Sequence, residues 1–251
     1  VFENPLIKLG LKDFFSLSFN ESKSHNLRGV KAEVNILINN KKKKWKDIKK
    51  LISSGLLEKD LEMLILKVFE SLAIAEGKVH SVHPDDVHFH EIGSTDSLVD
   101  VVGVCAAINY LKPNNIFCNS PNLGKGFINS EHGKIPIPSP VVLELISNSK
   151  LNISSDYSID AELSTPTGIS LLLALVNFFK FPSKYSINSY GIGIGHKTLS
   201  YPNLLRVLKI NLPDYKKNHF KNSPVFEEIS IQEAWIDDHS SEEIASFIEF
   251  M

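Results

Sequence analysis

Thirteen residues at 88–100, HFHEIGSTDSLVD, hold two imidazoles and three carboxylates. If the first of them are extended, the two-residue period points His88 and His90 to one face. Two imidazoles on one face are part of a shell for nickel, zinc, copper or iron. Glu91 points away from that face unless the chain turns, and Gly93 supplies a turn. Asp96 and Asp100 are one helical turn apart and share a face. Such carboxylates can complete a shell, hold a histidine in one tautomer, or move a proton. The same residues also fit a plainer reading, solvated histidines between two helices and an aspartate favoured by a helix N-terminus. Spacing alone leaves both open.

Other groups carry chemistry less sharply. His80 and His83 end a helical pattern, where a cation suits the dipole. His132 sits beside Gly133 in a turn and is either a turn residue or a substrate contact. The loops GKG (124–126) and GIGIG (191–195) bring backbone N–H groups near any anion, but neither is a dinucleotide fingerprint or a P-loop. Glu162, Ser164, Thr165 and Thr167 crowd a helix start, which fits capping or a phosphate. Cys105 lies in an apolar run, and neither it nor Cys118 belongs to a CxxC pair, so a thiolate zinc site is not expected.

The elements that must position these residues follow from periodicity. A short helix precedes two strands, Phe14–Phe19 and Val30–Ile38, with 20–29 turning between them. Trp45 starts a helix after the basic run 41–44, read as a solvated loop or helix entry. Leu61–Val79 is the clearest amphipathic helix, and Pro84 follows its end. Val87–Glu91 is a short extended segment. The next helix, Ser97–Leu111, is apolar almost all round and should be central and buried. A short strand at Ile116–Phe117 and two more around Glu131–Gly133 come next. Ser139-Pro140 and Thr165-Pro166 each open a helix, the second ending near Lys180. GIGIG is strand or loop, and Leu204–Ile210 a strand. Alternating strands and helices predict an α/β or α+β fold, a mixed sheet with packed helices. The expected division is a substrate-handling domain at 1–210, a linker at 211–224 and the start of a second small α+β domain at 225–251.

Bulk numbers narrow the function classes. Net charge is −2, from 27 basic and 29 acidic residues, which gives no case for nucleic acid or an anionic membrane. The longest apolar run, Ile169–Phe179, is half of the ~20 residues a membrane span needs. Two cysteines cannot make a disulfide framework and point to a reducing, cytoplasmic compartment. A start at Val1 and an end at Met251, inside an amphipathic pattern, predict a piece of a longer chain.

With these residues in view, the chain resembles the nickel insertion proteins that complete the nickel-pincer nucleotide cofactor of lactate racemase. The matching stretches are VHFHEIGSTDSLVDVVG (87–103), SPNLGKGF (120–127), HGKIPIPSP (132–140), ELSTPTG (162–168), YGIGIGHK (190–197) and PNLLRVL (202–208), with IDDHSSEEI (236–244) resembling the start of the family's second domain. The resemblance implies Ni(II) insertion into pyridinium-3,5-bisthiocarboxylic acid mononucleotide, a lyase- or chelatase-type reaction forming a nickel–carbon bond. It implies CTP with a divalent cation, bound mainly by the second domain, and a client nickel-pincer enzyme as partner, with a homo-oligomer as a further expectation. It assigns His88, His90 and Glu91 to the metal and Asp96 and Asp100 to orienting those ligands or taking the proton. Gly124, Gly126, His132, Glu162, Thr165, Thr167 and His196 fall to the nucleotide. The family's His-rich insertion would stand near 39–46, where this chain has NNKKKKWK. The alternatives are a nickel carrier without catalysis and a metal-dependent hydrolase.

Overall fold

The computed structural model describes residues 3–38, 43–89, 95–147, 149–154 and 159–213. The expected second domain, nearly all of the linker, and His90, Glu91 and Ser94 lie outside the described residues. The elements run α1 (Glu3–Lys8), β1 (Phe15–Ser24), β2 (Leu27–Ile36), α2 (Trp45–Ser54), α3 (Lys59–His80), a 3-10 turn (Pro84–Asp86), α4 (Thr95–Leu111), β3 (Phe127–Ser130), β4 (Gly133–Pro136), α5 (Pro140–Ser147), α6 (Pro166–Leu175), β5 (Ser186–Ile194) and β6 (Leu204–Asn211). This is the expected mixed α/β architecture.

Helix α3 is the post around which the core is built. Leu61, Ile65, Val68, Phe69 and Leu72 recur at three- and four-residue steps, so one face is apolar and all five are buried. That helix packs against α2, α4, α5 and α6. Phe69 stacks on Trp45 at 6.5 Å between ring centroids and meets Phe89 at 6.3 Å. Lys67 donates from Nζ to the carbonyl of Ala174 at 2.8 Å, a cation on the last turn of α6. Helix α4 is buried along its first two thirds, through Leu98, Val101, Val102 and Cys105. It is less central than its composition predicts, because Val104, Tyr110 and Leu111 reach solvent.

The four-stranded sheet has the order β1-β2-β5-β6. Its two antiparallel hairpins join through one parallel pair, Val30 opposite Gly193. A Cβ at Gly29 would stand 2.8 Å from the Ile192 carbonyl oxygen, so the junction needs glycine there. The base of the sheet reaches the core through buried Phe15 and half-buried Leu17 and Val34, while Ile194 of β5 is buried outside that cluster. The first turn is tighter than the ten residues expected. Ser24 pairs with Leu27, and His25 and Asn26 take φ of 47° and 66°, the two-residue hairpin loop in which both residues need positive φ. Polar 20–24 looked like turn because that end of the ribbon stands off the core, where strands need no apolar alternation. Two further boundaries differ. Helix α6 ends at Leu175 rather than near Lys180, and Ile116–Phe117 forms only a single bridge, Phe117 to Phe178. Asn177 accounts for both, since its N–H donates to the Ile116 carbonyl and its Oδ1 accepts from the Ile116 N–H. Among the described residues no helix is long and apolar enough to cross a membrane.

Candidate functional site

The extended segment after the 3-10 turn is fixed by its alternate residues. Val87 and Phe89 are buried at 1% and 0% exposure, and His88 between them is exposed. The Trp45 N–H donates to the Val87 carbonyl at 3.3 Å, and Lys44 bridges His88. The pleat thus points His88 outward, as the two-residue period predicts. Its expected partners His90 and Glu91 lie outside the described residues. Among the described residues, no group of three His, Cys, Asp or Glu side chains stands close enough to hold a metal ion.

Asp96 and Asp100 leave α4 on its solvent side, while Leu98, Val99, Val101 and Val102 turn into the core. Asp100 lines a crevice of about 220 Å³ with Ser97, Ile128, Ser139, Glu162, Thr165, Pro166 and Thr167. Four residues singled out in the sequence, Asp100, Glu162, Thr165 and Thr167, therefore meet here from segments more than sixty residues apart. Burial pushes the Asp100 carboxyl above the ordinary carboxylate range, the Asp96 charge pushes it further, and His196 opposes both. As a residue Asp100 keeps solvent contact, while the crevice walls crowd its carboxyl. A larger hollow of about 370 Å³ lies between α1 and the far end of α4, lined by Lys8, Glu58, Asn109 and Lys112 among others. None of the expected site residues borders it.

The far wall is the start of α6. Thr165 is its N-cap, accepting from the Gly168 N–H at 3.2 Å, with Pro166 at the first helical position. Capping thus explains one hydroxyl of that cluster, and Ser164 is used by a bond to the Asn122 carbonyl at 2.7 Å. Lys197 donates from Nζ to the Glu162 carbonyl at 2.9 Å, which ties the β5–β6 turn and its exposed His196 to this wall.

The glycine loop stands behind the wall. Gly124 bridges Glu162, and its N–H donates to Asn122 Oδ1 at 2.9 Å. With φ at 78°, a Cβ there would lie 1.9 Å from the Ala161 carbonyl oxygen. Close packing thus gives Gly124 a structural reason of its own. The Gly126 carbonyl accepts from the Ile137 N–H at 2.9 Å, at the base of the β3–β4 hairpin. His132 does not border the crevice; it lies at that hairpin's tip, against His80. His83 caps the 3-10 turn, its Nδ1 accepting from the Asp85 N–H at 3.3 Å.

Sequence reasoning missed Ser97, Ile128 and Pro166 as crevice residues and took Ser139 only as a helix cap. Ser97 was legible in principle, three residues from Asp100 on the same helix face. Ile128 carries no chemical signal, because it offers the crevice an apolar surface and nothing else.

The whole chain, residues 1–251, matches the profile of a family described as nickel insertion protein. A relative from Staphylococcus epidermidis, named pyridinium-3,5-bisthiocarboxylic acid mononucleotide nickel insertion protein, is 31% identical over 247 residues, covering 98% of this chain and 59% of its own length. A protein of the same name from Clostridium kluyveri is 40% identical over 165 residues, 66% of this chain and 41% of its own. The chain thus spans between two fifths and three fifths of these relatives. No solved structure gives a significant match. Profile and relatives agree: the chain belongs to the nickel insertion protein family.

Proposed function

We propose that this chain handles the substrates of a nickel-inserting enzyme. In this reading Ni(II) enters pyridinium-3,5-bisthiocarboxylic acid mononucleotide at a ring carbon. The carbon–hydrogen bond breaks, its electron pair becomes the carbon–nickel bond, and a base takes the proton. CTP is consumed by the whole protein, through the second domain that we place from residue 225 onward. The product is the nickel-pincer nucleotide cofactor for a client enzyme, and we place the reaction in the cytoplasm, where Cys105 and Cys118 stay reduced.

The observation that carries this is the meeting of Asp100, Glu162, Thr165 and Thr167 in one crevice. Two carboxylates suit a cationic pyridinium ring and a metal cation. The Thr167 hydroxyl and the start of α6 suit a phosphate, and Ile128 gives the ring an apolar surface. Asp100 is our base, since a carboxyl raised above its ordinary range is a stronger proton acceptor than a solvated one. Asp96 raises it and His196 moderates it. At about 220 Å³ the crevice is smaller than the ~300–1,000 Å³ of sites that enclose whole ligands, so it takes one end of the nucleotide. His88, with His90 and Glu91, delivers the metal.

The test is nickel incorporation into the bisthiocarboxylated nucleotide, with CTP, by the full-length protein and its Asp100→Asn variant. Product from the parent and at least a hundredfold less from the variant would support the assignment. Nickel bound without product would support the carrier reading, and equal product from both would remove Asp100 as the base.

A further inference from the structure

A second pair of imidazoles stands outside the crevice. Helix α3 ends on His80. One turn earlier, Glu76 is 7% exposed. A carboxylate so buried requires a partner, and His80 Nε2 lies 3.3 Å from Glu76 Oε2. His132, from the tip of the β3–β4 hairpin, lays its ring against His80, with centroids 4.8 Å apart and planes inclined by 38°. Dipole complementarity at the end of α3 accounts for His80 alone. It gives no reason for a buried carboxylate within 3.3 Å of that imidazole and a second imidazole, from another element, against its ring.

The arrangement has the chemistry of a metal site. A ligating histidine characteristically holds a carboxylate at its second ring nitrogen, which fixes its orientation and raises its basicity. Imidazole is a ligand shared by nickel, zinc, copper and iron. His132 is exposed, so a metal arriving from solvent can reach it. Because the described residues close no three-ligand group, the shell they offer has two imidazoles. A two-imidazole shell releases its ion readily, as a metal that is cargo requires. The same hairpin carries Ile128 into the Asp100 crevice.

We propose that His80 and His132 form a Ni(II) docking site, with Glu76 as the positioning residue for His80. The inference rests on the nickel-insertion reading only for the choice of metal. It is tested on the full chain without nucleotide or CTP, by titrating Ni(II) calorimetrically and by counting nitrogen couplings to bound Cu(II) in electron paramagnetic resonance. His132→Ala, in an exposed turn, should weaken one nickel-binding event at least tenfold and remove one nitrogen coupling. His25→Ala, in the other hairpin turn, should change neither. Glu76→Gln should weaken the same event by roughly 10–100-fold, with both nitrogens still coupled. A His132→Ala isotherm and nitrogen count equal to the parent's would overturn the site, as would a parent that binds no nickel. The insertion reading fails separately, on the absence of product when nucleotide and CTP are supplied.

Discussion

Phe89→Ala tests whether the core presents the segment that carries His88, which we assign to the metal. The ring is wholly buried, 6.3 Å from that of Phe69, which itself stacks on Trp45. Transfer of the side chain out of water contributes about 1.5–3 kcal/mol. The cavity left behind brings the cost of Phe→Ala to about 3–5 kcal/mol. For a protein of this size that lowers the melting temperature by roughly 6–20 °C. Phe89→Leu keeps most of the volume and forfeits chiefly the ring–ring preference, about 0.5–1.5 kcal/mol. Thermal melts of parent and both variants by circular dichroism decide the matter. Equal losses for Ala and Leu would refute the cavity argument. A change under about 2 °C for Ala would show that the ring is no prop at all. If the argument holds, the Ala variant should also bind nickel more weakly at temperatures where it is still folded, because the strand bearing His88 loses its inner anchor.

Asp100→Asn should be more stable than the parent at neutral pH. With the folded carboxyl raised above its unfolded value of about 3.9, the folded state holds more protons in that window and stability falls as pH rises through it. The gain is under about 1 kcal/mol because the residue keeps solvent contact, and it vanishes near pH 3; melts at both pH values check it, and a destabilised variant at neutral pH contradicts it. Gly124→Ala should cost at least ~1–3 kcal/mol, since it combines a positive φ with a 1.9 Å approach to the Ala161 carbonyl oxygen; an unshifted urea midpoint would show that the loop yields freely. Burial pushes the Cys105 thiol up to about 12 and raises Cys118 as well. A disulfide reagent at mild alkaline pH should therefore modify half-buried Cys118 slowly and Cys105 only after denaturation, and rapid reaction at Cys105 in the folded chain would contradict its burial.

The sequence made the helical core and the type of most elements legible for one reason: the apolar steps of α3 and the Ser139-Pro140 and Thr165-Pro166 starts are local signals, complete within one turn of helix. The sheet was less legible. Residues 20–24 are strand although polar, because the ribbon's outer end faces water on both sides, and nothing local distinguishes that from a loop. The crevice was half legible. Asp100 and Thr165 stand out by type and spacing, but Ile128 and Ser97 acquire a role only when the hairpin and α6 close over α4. The Glu76–His80–His132 cluster was the least legible. Its members lie 52 and 56 residues apart across the hairpin, and His80 by itself has an adequate local explanation.

Helix α4 shows how the two demands on this chain are reconciled. Its apolar composition looks excessive for a helix that carries the site's carboxylates. Yet a carboxyl raised above its ordinary range is one whose charge the fold disfavours, a small cost that apolar burial offsets. Leu98, Val101, Val102 and Cys105, all buried on the opposite face, supply the offset within two turns of Asp100. The outward face is then free to hold Asp96 and Asp100 one turn apart, close enough for each charge to act on the other. The same division governs α3, whose apolar middle anchors the core and whose last turn places Glu76 and His80 beneath the hairpin. In both helices the buried residues fix the frame, and the residues able to do chemistry are reached by a second element from elsewhere in the chain.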